Sequence, residues 1–386
     1  MNNFSWSECW QSKTYAWDRI VSCVPWEMVG AIATVFALLL ALPAFFRAMR
    51  EMRDLAKKVD LGGYARRRLD KIRAMADGGA EAIWSQPLDM RKHLKEAEGS
   101  IPVLMFAHLK GGVGKTTVAA NLAAAFSTRG KRVLAIDLDY QGSLSSLFLG
   151  HAGITDDQLL EEAQARAALL IEGERDGAFL LSAARETGAE DLQRLRYIPS
   201  SYTLADVENR ETIRWMIGET TGETDPRLHL AKLIWSTPVQ EAFDLIIIDT
   251  APRLTFAFIN GLCSATHVVT PTIMDGMSAN AVNDMMRQLV LLKRRLTLSF
   301  EMTGVVPNNT FNWDQLTARE QNAASRIKRD VMKTLGRGDI LYDDAIIRRD
   351  VVIQEAAGNK LAYFQSVDAR RGFDRLADKI AERIGL

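Results

Sequence analysis

The octet KGGVGKTT occupies residues 110–117 of this 386-residue chain. It follows an apolar run at residues 103–107 and precedes a stretch with helical pattern at residues 117–126. Glycines in such a loop let consecutive backbone N–H groups point inward without interference from a Cβ atom, and the helix that follows adds the positive end of its dipole. The octet therefore predicts a strand–loop–helix unit that holds an anion such as a chain of phosphates.

The loop matches the second half of the phosphate-binding pattern G-x-x-x-x-G-K-[ST] and carries a second lysine, Lys110. In this pattern Lys115 meets the β- and γ-phosphates of a nucleotide, and the Thr116 hydroxyl ligates Mg²⁺. The predicted nucleotide-binding residues of the loop are Gly111, Gly112, Val113, Gly114, Lys115, Thr116 and Thr117.

With its extra lysine, the octet resembles the deviant P-loop of the ParA/MinD group of ATPases. The resemblance covers residues 101–386 and implies an α/β P-loop NTPase domain with a doubly wound, mainly parallel sheet. It also implies ATP and Mg²⁺ as cofactors and a homodimer in the ATP state. In that dimer Lys110 would reach the nucleotide of the facing subunit.

Two further predicted strands end in aspartates, at residues 131–138 (KRVLAIDL) and 243–249 (FDLIIID). Aspartates at the carboxyl ends of parallel strands lie at the edge of the sheet that faces a ligand. By resemblance to the family, Asp137 faces the Mg²⁺ shell, Asp139 orients the attacking water, and Asp249 is the Walker B carboxylate. The predicted catalytic residues are thus Lys110, Lys115 and Asp139, and the predicted metal-binding residues are Thr116, Asp137 and Asp249.

A later predicted strand at residues 302–309 ends in two asparagines. Asn308 matches the asparagine with which the family binds adenine; Asn309 is the alternative at this place, and a turn-forming pair of asparagines is a third interpretation. The chain departs from the family pattern at Tyr140 and at Arg348, each of which stands where relatives have proline.

Residues 28–46 include no charged side chain, and about 20 apolar residues suffice to cross a bilayer as a helix. Two basic residues precede this stretch and ten lie between residues 47 and 73, so the positive-inside rule places the later part of the chain in the cytoplasm. The prediction is a single-pass protein of the bacterial inner membrane: a non-cytoplasmic 1–27, a transmembrane helix at 28–46, a basic helical linker at 47–100 and a cytoplasmic ATPase domain at 101–386. A buried core helix and a signal peptide are the alternatives for 28–46.

Lysine plus arginine and aspartate plus glutamate are balanced at 48 each, which gives no global signal for a nucleic-acid binder or an acidic tail. Three cysteines are too few for a disulfide scaffold or a zinc site. Cys9 and Cys23 either pair outside the cytoplasm or stay unpaired. The basic linker either rests on anionic lipid or is solvated, and its self-association is open.

These features predict a membrane-tethered ATPase switch, in which slow hydrolysis within an ATP-sandwiched dimer controls recruitment or positioning of a partner protein. The main alternative is a membrane-held partitioning ATPase that binds nucleoid DNA through basic runs at residues 293–295 and 348–349. A tyrosine kinase of polysaccharide export is disfavoured, because the last tyrosine, Tyr363, is isolated. An idle scaffold is disfavoured because the lysines and aspartates of the site are all present.

Overall fold

The computed structural model describes most of the chain after residue 100 and a few residues before it. The described ranges are 83–88, 101–154, 166–219, 224–312, 315–349 and 360–386, together with residues 47, 50, 69, 70, 72, 73 and 77. The chain divides into two compact units, Met1–Arg73 and Ala74–Leu386. In the first unit the described residues are helical, and Arg73 forms an exposed ion pair with Asp70 at 3.8 Å.

Within the described residues, an eight-stranded sheet organises the second unit, with the strand order β3-β4-β2-β5-β1-β6-β7-β8. The strands are β1 (Val103–Phe106), β2 (Val133–Leu138), β3 (Arg185–Glu186), β4 (Leu195–Ile198), β5 (Leu245–Thr250), β6 (His267–Ile273), β7 (Glu301–Thr310) and β8 (Ile347–Arg348). Neighbouring strands pair in parallel except β3 with β4, which is antiparallel. The four strands predicted from apolar runs fall on β1, β2, β5 and β7, because strands covered on both faces are apolar throughout.

Helices cover both faces of this sheet. They are α1 (Lys115–Thr128), α2 (Ser143–His151), α3 (Arg166–Ile171), α4 (Gly177–Ala183), α5 (Thr203–Ile217), α6 (His229–Ile234), α7 (Thr237–Ala242), α8 (Phe256–Ser264), α9 (Gly276–Arg295), α10 (Ala318–Leu335) and α11 (Val367–Ile384). Alternate residues of β1 enter two separate cores: Val103 and Met105 belong to one apolar cluster, Leu104 and Phe106 to the other. The prediction of a doubly wound, mainly parallel α/β domain is confirmed.

The short segment at residues 83–88 packs against this α/β unit, although the sequence interpretation placed it in a linker. Trp84 is only 4% exposed and Leu88 only 6%, and both belong to the larger of the two apolar clusters. Burying a large aromatic side chain stabilises a fold by about 1.5–3 kcal/mol. Part of the predicted linker is therefore a constituent of the core.

The predicted localisation requires a correction. Among the described residues, no helix combines the length and the apolar character that crossing a bilayer requires. The prediction of a single-pass protein of the inner membrane is contradicted by this result and by the relatives reported below. Residues 28–46, like Cys9 and Cys23, lie outside the described residues.

Candidate nucleotide-binding site

The loop between β1 and α1 has the backbone geometry that the octet predicts. Gly112 and Gly114 adopt positive φ angles of 72° and 86°, a region that side chains with a Cβ rarely occupy. A Cβ atom on Gly114 would also lie 1.9 Å from Nδ2 of Asn308. That amide donates a hydrogen bond to the carbonyl oxygen of Val113 at 2.9 Å. The loop is thus shaped by its glycines and held in place by the end of β7.

Two acids meet below the loop because β2 and β5 are neighbours and their parallel register pairs Asp137 with Asp249. Thr116 Oγ1 donates a hydrogen bond to Asp249 Oδ2 at 2.6 Å. Asp249 is fully buried, and its Oδ1 has no hydrogen-bond partner in the described part of the chain. Burial, together with the charge of Asp137, raises the pKa of Asp249 to about 8.

This arrangement fits a magnesium nucleotide. Carboxylate and hydroxyl oxygens are the ligands that Mg²⁺ prefers, and Thr116 and Asp249 place one of each at the start of α1. A cation beside Asp249 would compensate the cost of keeping this buried carboxylate charged, and it would give the unpartnered Oδ1 a neighbour of opposite charge. Asp249 and Thr116 are therefore suited to the role that the sequence predicts for them.

Asp137 is satisfied by the protein itself. Its carboxylate accepts hydrogen bonds from the Ser145 backbone N–H (3.0 Å), the Ser145 hydroxyl (2.8 Å) and the Asp139 backbone N–H (3.1 Å). Burial raises the pKa of Asp137 to about 6, and these three donors oppose that rise. Asp137 thereby anchors the first turn of α2, while its predicted place in the Mg²⁺ shell remains a prediction.

Asp139, the residue predicted to orient water, is nearly buried at 7% exposure. Its Oδ1 accepts a hydrogen bond from the backbone N–H of Gln141 at 3.1 Å. Its position directly after β2 brings it to the same sheet edge as Asp249. Its catalytic role stays a prediction.

The two lysines of the loop have different surroundings. Lys115 is 7% exposed; burial lowers its pKa, an effect that the charges of Asp249 and Asp139 oppose. Lys110 is half-buried, and its Nζ donates a hydrogen bond to Ser278 Oγ, 3.0 Å away in the first turn of α9. Lys115 is thus close enough to Asp249 and Asp139 to sense their charges, whereas Lys110 is bonded to α9.

His108 is a further residue of the site that sequence reasoning missed. It is fully buried between β1 and the loop, and its Nδ1 accepts a hydrogen bond from the Lys110 backbone N–H at 2.9 Å. Nδ1 therefore carries no proton, and the neutral ring carries its proton on Nε2. Burial, then the charges of Lys115 and Lys110, lower the pKa of His108 to about 4. The ring stays neutral and orients the start of the loop.

Asn308, the residue predicted to contact adenine, lies against the phosphate loop. Asn308 is bonded to the loop carbonyl described above, and its Oδ1 is buried without a partner among the described residues. Asn309, the alternative, has a left-handed φ of 58°. An asparagine in that conformation fits the turn-forming interpretation as well. The assignment of Asn308 to adenine remains a prediction.

Ser145 and Ser278 complete the set of residues that the sequence did not reveal. Both are fully buried, and each binds a predicted site residue. A serine in the first turn of a helix is common in any sequence, so no pattern distinguishes these two. They are recognised only once their helices are packed.

The two basic runs considered for DNA binding, and the isolated Tyr363, lie in different parts of the domain. The run at residues 293–295 ends α9, which leaves the carboxyl end of β6 and returns to the opposite edge of the sheet. Arg348 belongs to β8, whose partner is the carboxyl-terminal part of β7. The two basic runs therefore lie at opposite edges and form no single patch. Tyr363 is 2% exposed and its hydroxyl binds Asp374.

Comparisons with known proteins agree with this geometry. The sequence profile of the family described as AAA domain matches residues 101–302. The chromosome-partitioning ATPase Soj of Treponema pallidum is 28% identical over 286 residues, which cover 73% of this chain and 98% of that protein. The chromosome partitioning protein ParA of Caulobacter vibrioides is 29% identical over 257 residues, 66% of this chain and 83% of that protein.

Two solved structures share the fold. One is an aspartate-to-alanine variant of McdA from Cyanothece in complex with ATP, with a TM-score of 0.57 and 19% identity, covering 75% of this chain and 98% of that one. The other is cobyrinic acid a,c-diamide synthase from Mycobacterium smegmatis with an ATP analogue and magnesium, with a TM-score of 0.53 and 22% identity, covering 72% and 93%.

The comparisons confirm the predictions of the protein family, of ATPase activity and of its cofactors. The relatives include ATPases that partition chromosomes, and members of the fold contain ATP or an analogue with magnesium. ATPase activity, with ATP and Mg²⁺ as cofactors, is thereby confirmed, and so is the ParA/MinD-type P-loop. The relatives' names and the matched range give no support to the predicted transmembrane segment.

Proposed function

Because this chain belongs to the AAA domain family, whose profile spans residues 101–302, we propose that it is an ATP-driven dimerisation switch that recruits or positions a partner protein. ATP binding would bring two copies together across their nucleotide sites. Hydrolysis would separate them and end the interaction with the partner. ATP hydrolysis would thus set the lifetime of a surface that only the dimer presents.

The observation that carries this proposal is the Thr116–Asp249 contact at 2.6 Å directly below the glycine loop. It joins the start of α1 to the end of β5, so the P-loop threonine and a buried acid with a free oxygen lie at one place. Lys115 lies at the same helix start with a pKa that burial lowers. Phosphoryl transfer to water depends on such positioning and electrostatics rather than on covalent chemistry.

Within this proposal the chain's own residues have distinct roles. The backbone N–H groups of residues 111–117 and Lys115 bind the phosphates, and Thr116 and Asp249 hold Mg²⁺, with Asp137 in its outer shell. Asp139 orients the attacking water. Bound Mg²⁺ supplies charge neutralisation at the β- and γ-phosphates.

The proposed dimer is supported by the surface beside the loop. Lys110 binds Ser278, and the neighbouring Met277 is 75% exposed at the start of α9. An exposed methionine next to a half-buried lysine provides an apolar and cationic rim that a second copy would cover. We assign to Lys110 the contact with the nucleotide of the facing subunit.

The first test is the substitution Lys110→Ala in the full-length chain, with Lys131→Ala, two residues before β2, as the control. Nucleotide affinity should be retained, whereas ATP-dependent dimerisation and most of the turnover should be lost. Light scattering after size exclusion with Mg-ATP measures the dimer, and phosphate release measures turnover. Undiminished turnover of Lys110→Ala would refute the cross-subunit role.

The second test identifies what the dimer recruits. The Asp139→Ala chain, expected to remain in its ATP-bound form, is purified with its bound partners, with and without nuclease. Lys115→Ala, which cannot hold the phosphates, is the control. A protein retained after nuclease and absent from the control supports recruitment. Loss of all bound protein after nuclease, with DNA present before it, would favour the DNA-partitioning alternative.

A further inference from the structure

The segment at residues 83–88 lies against a surface formed by α5, the turn before α6, and α8. The Trp84 ring stacks on Trp215 of α5, with ring centroids 5.7 Å apart and an interplanar angle of 12°. It also meets Phe256, the first residue of α8, at 6.1 Å and a tilt of 50°. Trp84 therefore inserts between two helices rather than resting on one.

Arg227 binds the backbone of the same segment. Its Nη1 donates to the carbonyl oxygen of Gln86 at 2.7 Å, and its Nη2 donates to that of Pro87 at 3.2 Å. The guanidinium also pairs with Asp225 (2.7 Å) and lies 4.8 Å from the Trp215 ring centroid. With 2% exposure, Arg227 is a buried cation whose bonds include two main-chain carbonyls of another segment.

This surface is contiguous with the nucleotide site on its other side. The turn at residues 251–255 joins Asp249 and Thr250 of β5 to Phe256. Next to Phe256, the Ala257 backbone N–H donates to Glu208 Oε1 at 3.0 Å. The turn that follows β5 therefore ends at Phe256, the residue that Trp84 contacts.

A second set of contacts connects the turn at residues 251–255 with the loop after β2, which carries Asp139 and Tyr140. Glu208 lies 3.8 Å from the guanidinium of Arg253, within the same turn. The Arg253 guanidinium carbon is 5.0 Å from the ring centroid of Tyr140, the residue after Asp139. Tyr140 replaces the proline expected from the family resemblance, so this contact depends on a residue in which the chain departs from that pattern.

We propose that Trp215, Arg227 and Phe256 form a docking surface for the chain's own segment 83–88, and that docking strengthens nucleotide binding by ordering the turn at residues 251–255. The proposal rests on the ATP-driven switch proposed above and adds its regulation. The surface matches the chemistry of this segment: Trp84 stacks on Trp215, and the carbonyl oxygens of Gln86 and Pro87 accept hydrogen bonds from Arg227.

The physical basis is conformational entropy. A turn already ordered by contacts at its end loses less freedom when a ligand orders it further, so a docked segment and a bound nucleotide favour each other. Such linkage is reciprocal: docking and nucleotide must change each other's affinity by the same factor. Typical coupling between two sites amounts to at least about fivefold.

The experiment compares Trp84→Ala with Trp235→Ala in the full-length chain. Trp235 is a half-buried tryptophan that packs against the same core directly after α6. Calorimetric titration with a non-hydrolysable ATP analogue and Mg²⁺ measures affinity. Trp84→Ala should bind the analogue at least about fivefold more weakly than the unmodified chain, while Trp235→Ala should bind it unchanged.

A second measurement needs no substitution and stays decisive if Trp84→Ala does not fold. Amide hydrogen exchange of residues 83–88 in the unmodified chain should slow when the analogue and Mg²⁺ are added. Exchange that is the same with and without the analogue overturns the proposal, as does an unchanged affinity of folded Trp84→Ala. If the unmodified chain binds no analogue at all, the proposed ATP-driven switch fails first, which separates the two failures.

Discussion

The nucleotide site and the docking surface both bury charged side chains, but they differ in how those charges are satisfied. At the docking surface, Arg227 distributes its donors among the Asp225 carboxylate and two carbonyl oxygens. At the nucleotide site, Asp249 keeps one buried oxygen without a partner in the described chain, and Asn308 does the same. Burial shifts the pKa of Asp249 upward and that of Lys115 downward.

A buried charge with all its bonds made holds segments together, and its loss leaves its partners uncompensated. A buried charge with a bond missing lowers stability until a ligand supplies the missing partner. The site that binds the nucleotide should therefore respond to substitution mainly in activity, and the docking surface mainly in stability. The predictions below test this distinction in order of expected size.

Arg227→Met should destabilise the chain by about 3–5 kcal/mol, because it leaves the Asp225 carboxylate and two carbonyl oxygens without their donor. Urea unfolding of the full-length chain measures the loss. The matched control is Arg370→Met, since Arg370 also lies over an aromatic ring, that of Tyr363 at 5.3 Å, but is exposed. Equal losses in the two variants would show that the burial of Arg227 contributes nothing.

Lys115→Ala should lower ATP turnover by about 10²–10³-fold, because it removes a preorganised positive charge from the phosphates. Its effect on unfolding should be small, since burial already disfavours the charged amine. Phosphate release and urea unfolding are measured on the same preparation, with Lys131→Ala as the control. A large loss of stability with retained turnover would show that Lys115 contributes to the fold rather than to activity, contrary to the distinction between the two regions.

Gly114→Ala should impair nucleotide binding and destabilise the chain by about 2 kcal/mol. The strain of an alanine at positive φ and the steric clash of its Cβ atom both contribute to this loss. The added Cβ would lie 1.9 Å from Asn308 Nδ2. Gly130→Ala separates the two causes, because Gly130 has the same φ of 86° with nothing within 4 Å of the added atom. If both variants bind nucleotide equally well, contact with Asn308 does not shape the loop.

His108→Asn should reduce the loss of stability on acidification by about 1 kcal/mol at pH 5.5. The pKa of His108 is lowered from 6.5 to about 4, so the unfolded chain binds the extra proton first. The corresponding stability is present above pH 6.5 and is lost as the pH falls toward 4. Asparagine keeps an acceptor for the Lys110 N–H without titrating. Thermal unfolding between pH 4 and 7 measures the slope, and an unchanged slope would exclude a neutral buried His108.

Sequence reasoning reached those site residues that stand next to each other in the chain or at the end of an apolar run. The loop at 110–117 is such a case, and so is Asp249 near the end of β5. It did not reach Ser145 or Ser278, whose bonds to Asp137 and Lys110 span 8 and 168 residues. It assigned residues 28–46 to a membrane helix from the length of an uncharged run and the basic residues that flank it, and the resulting localisation is contradicted by the findings.

The sequence specifies a parallel sheet with a phosphate loop at its carboxyl edge through the order of its apolar runs, glycines and acids. This is possible because strand burial and glycine conformation are local consequences of residue type. Only the packed tertiary structure decides which side chains form hydrogen bonds or stack with one another. The amide of Asn308 meets the loop 195 residues away, and Trp84 meets Trp215 across the chain. Such pairs leave no periodic trace in a sequence, because a hydrogen bond or a stacked ring needs only two residues brought together in space.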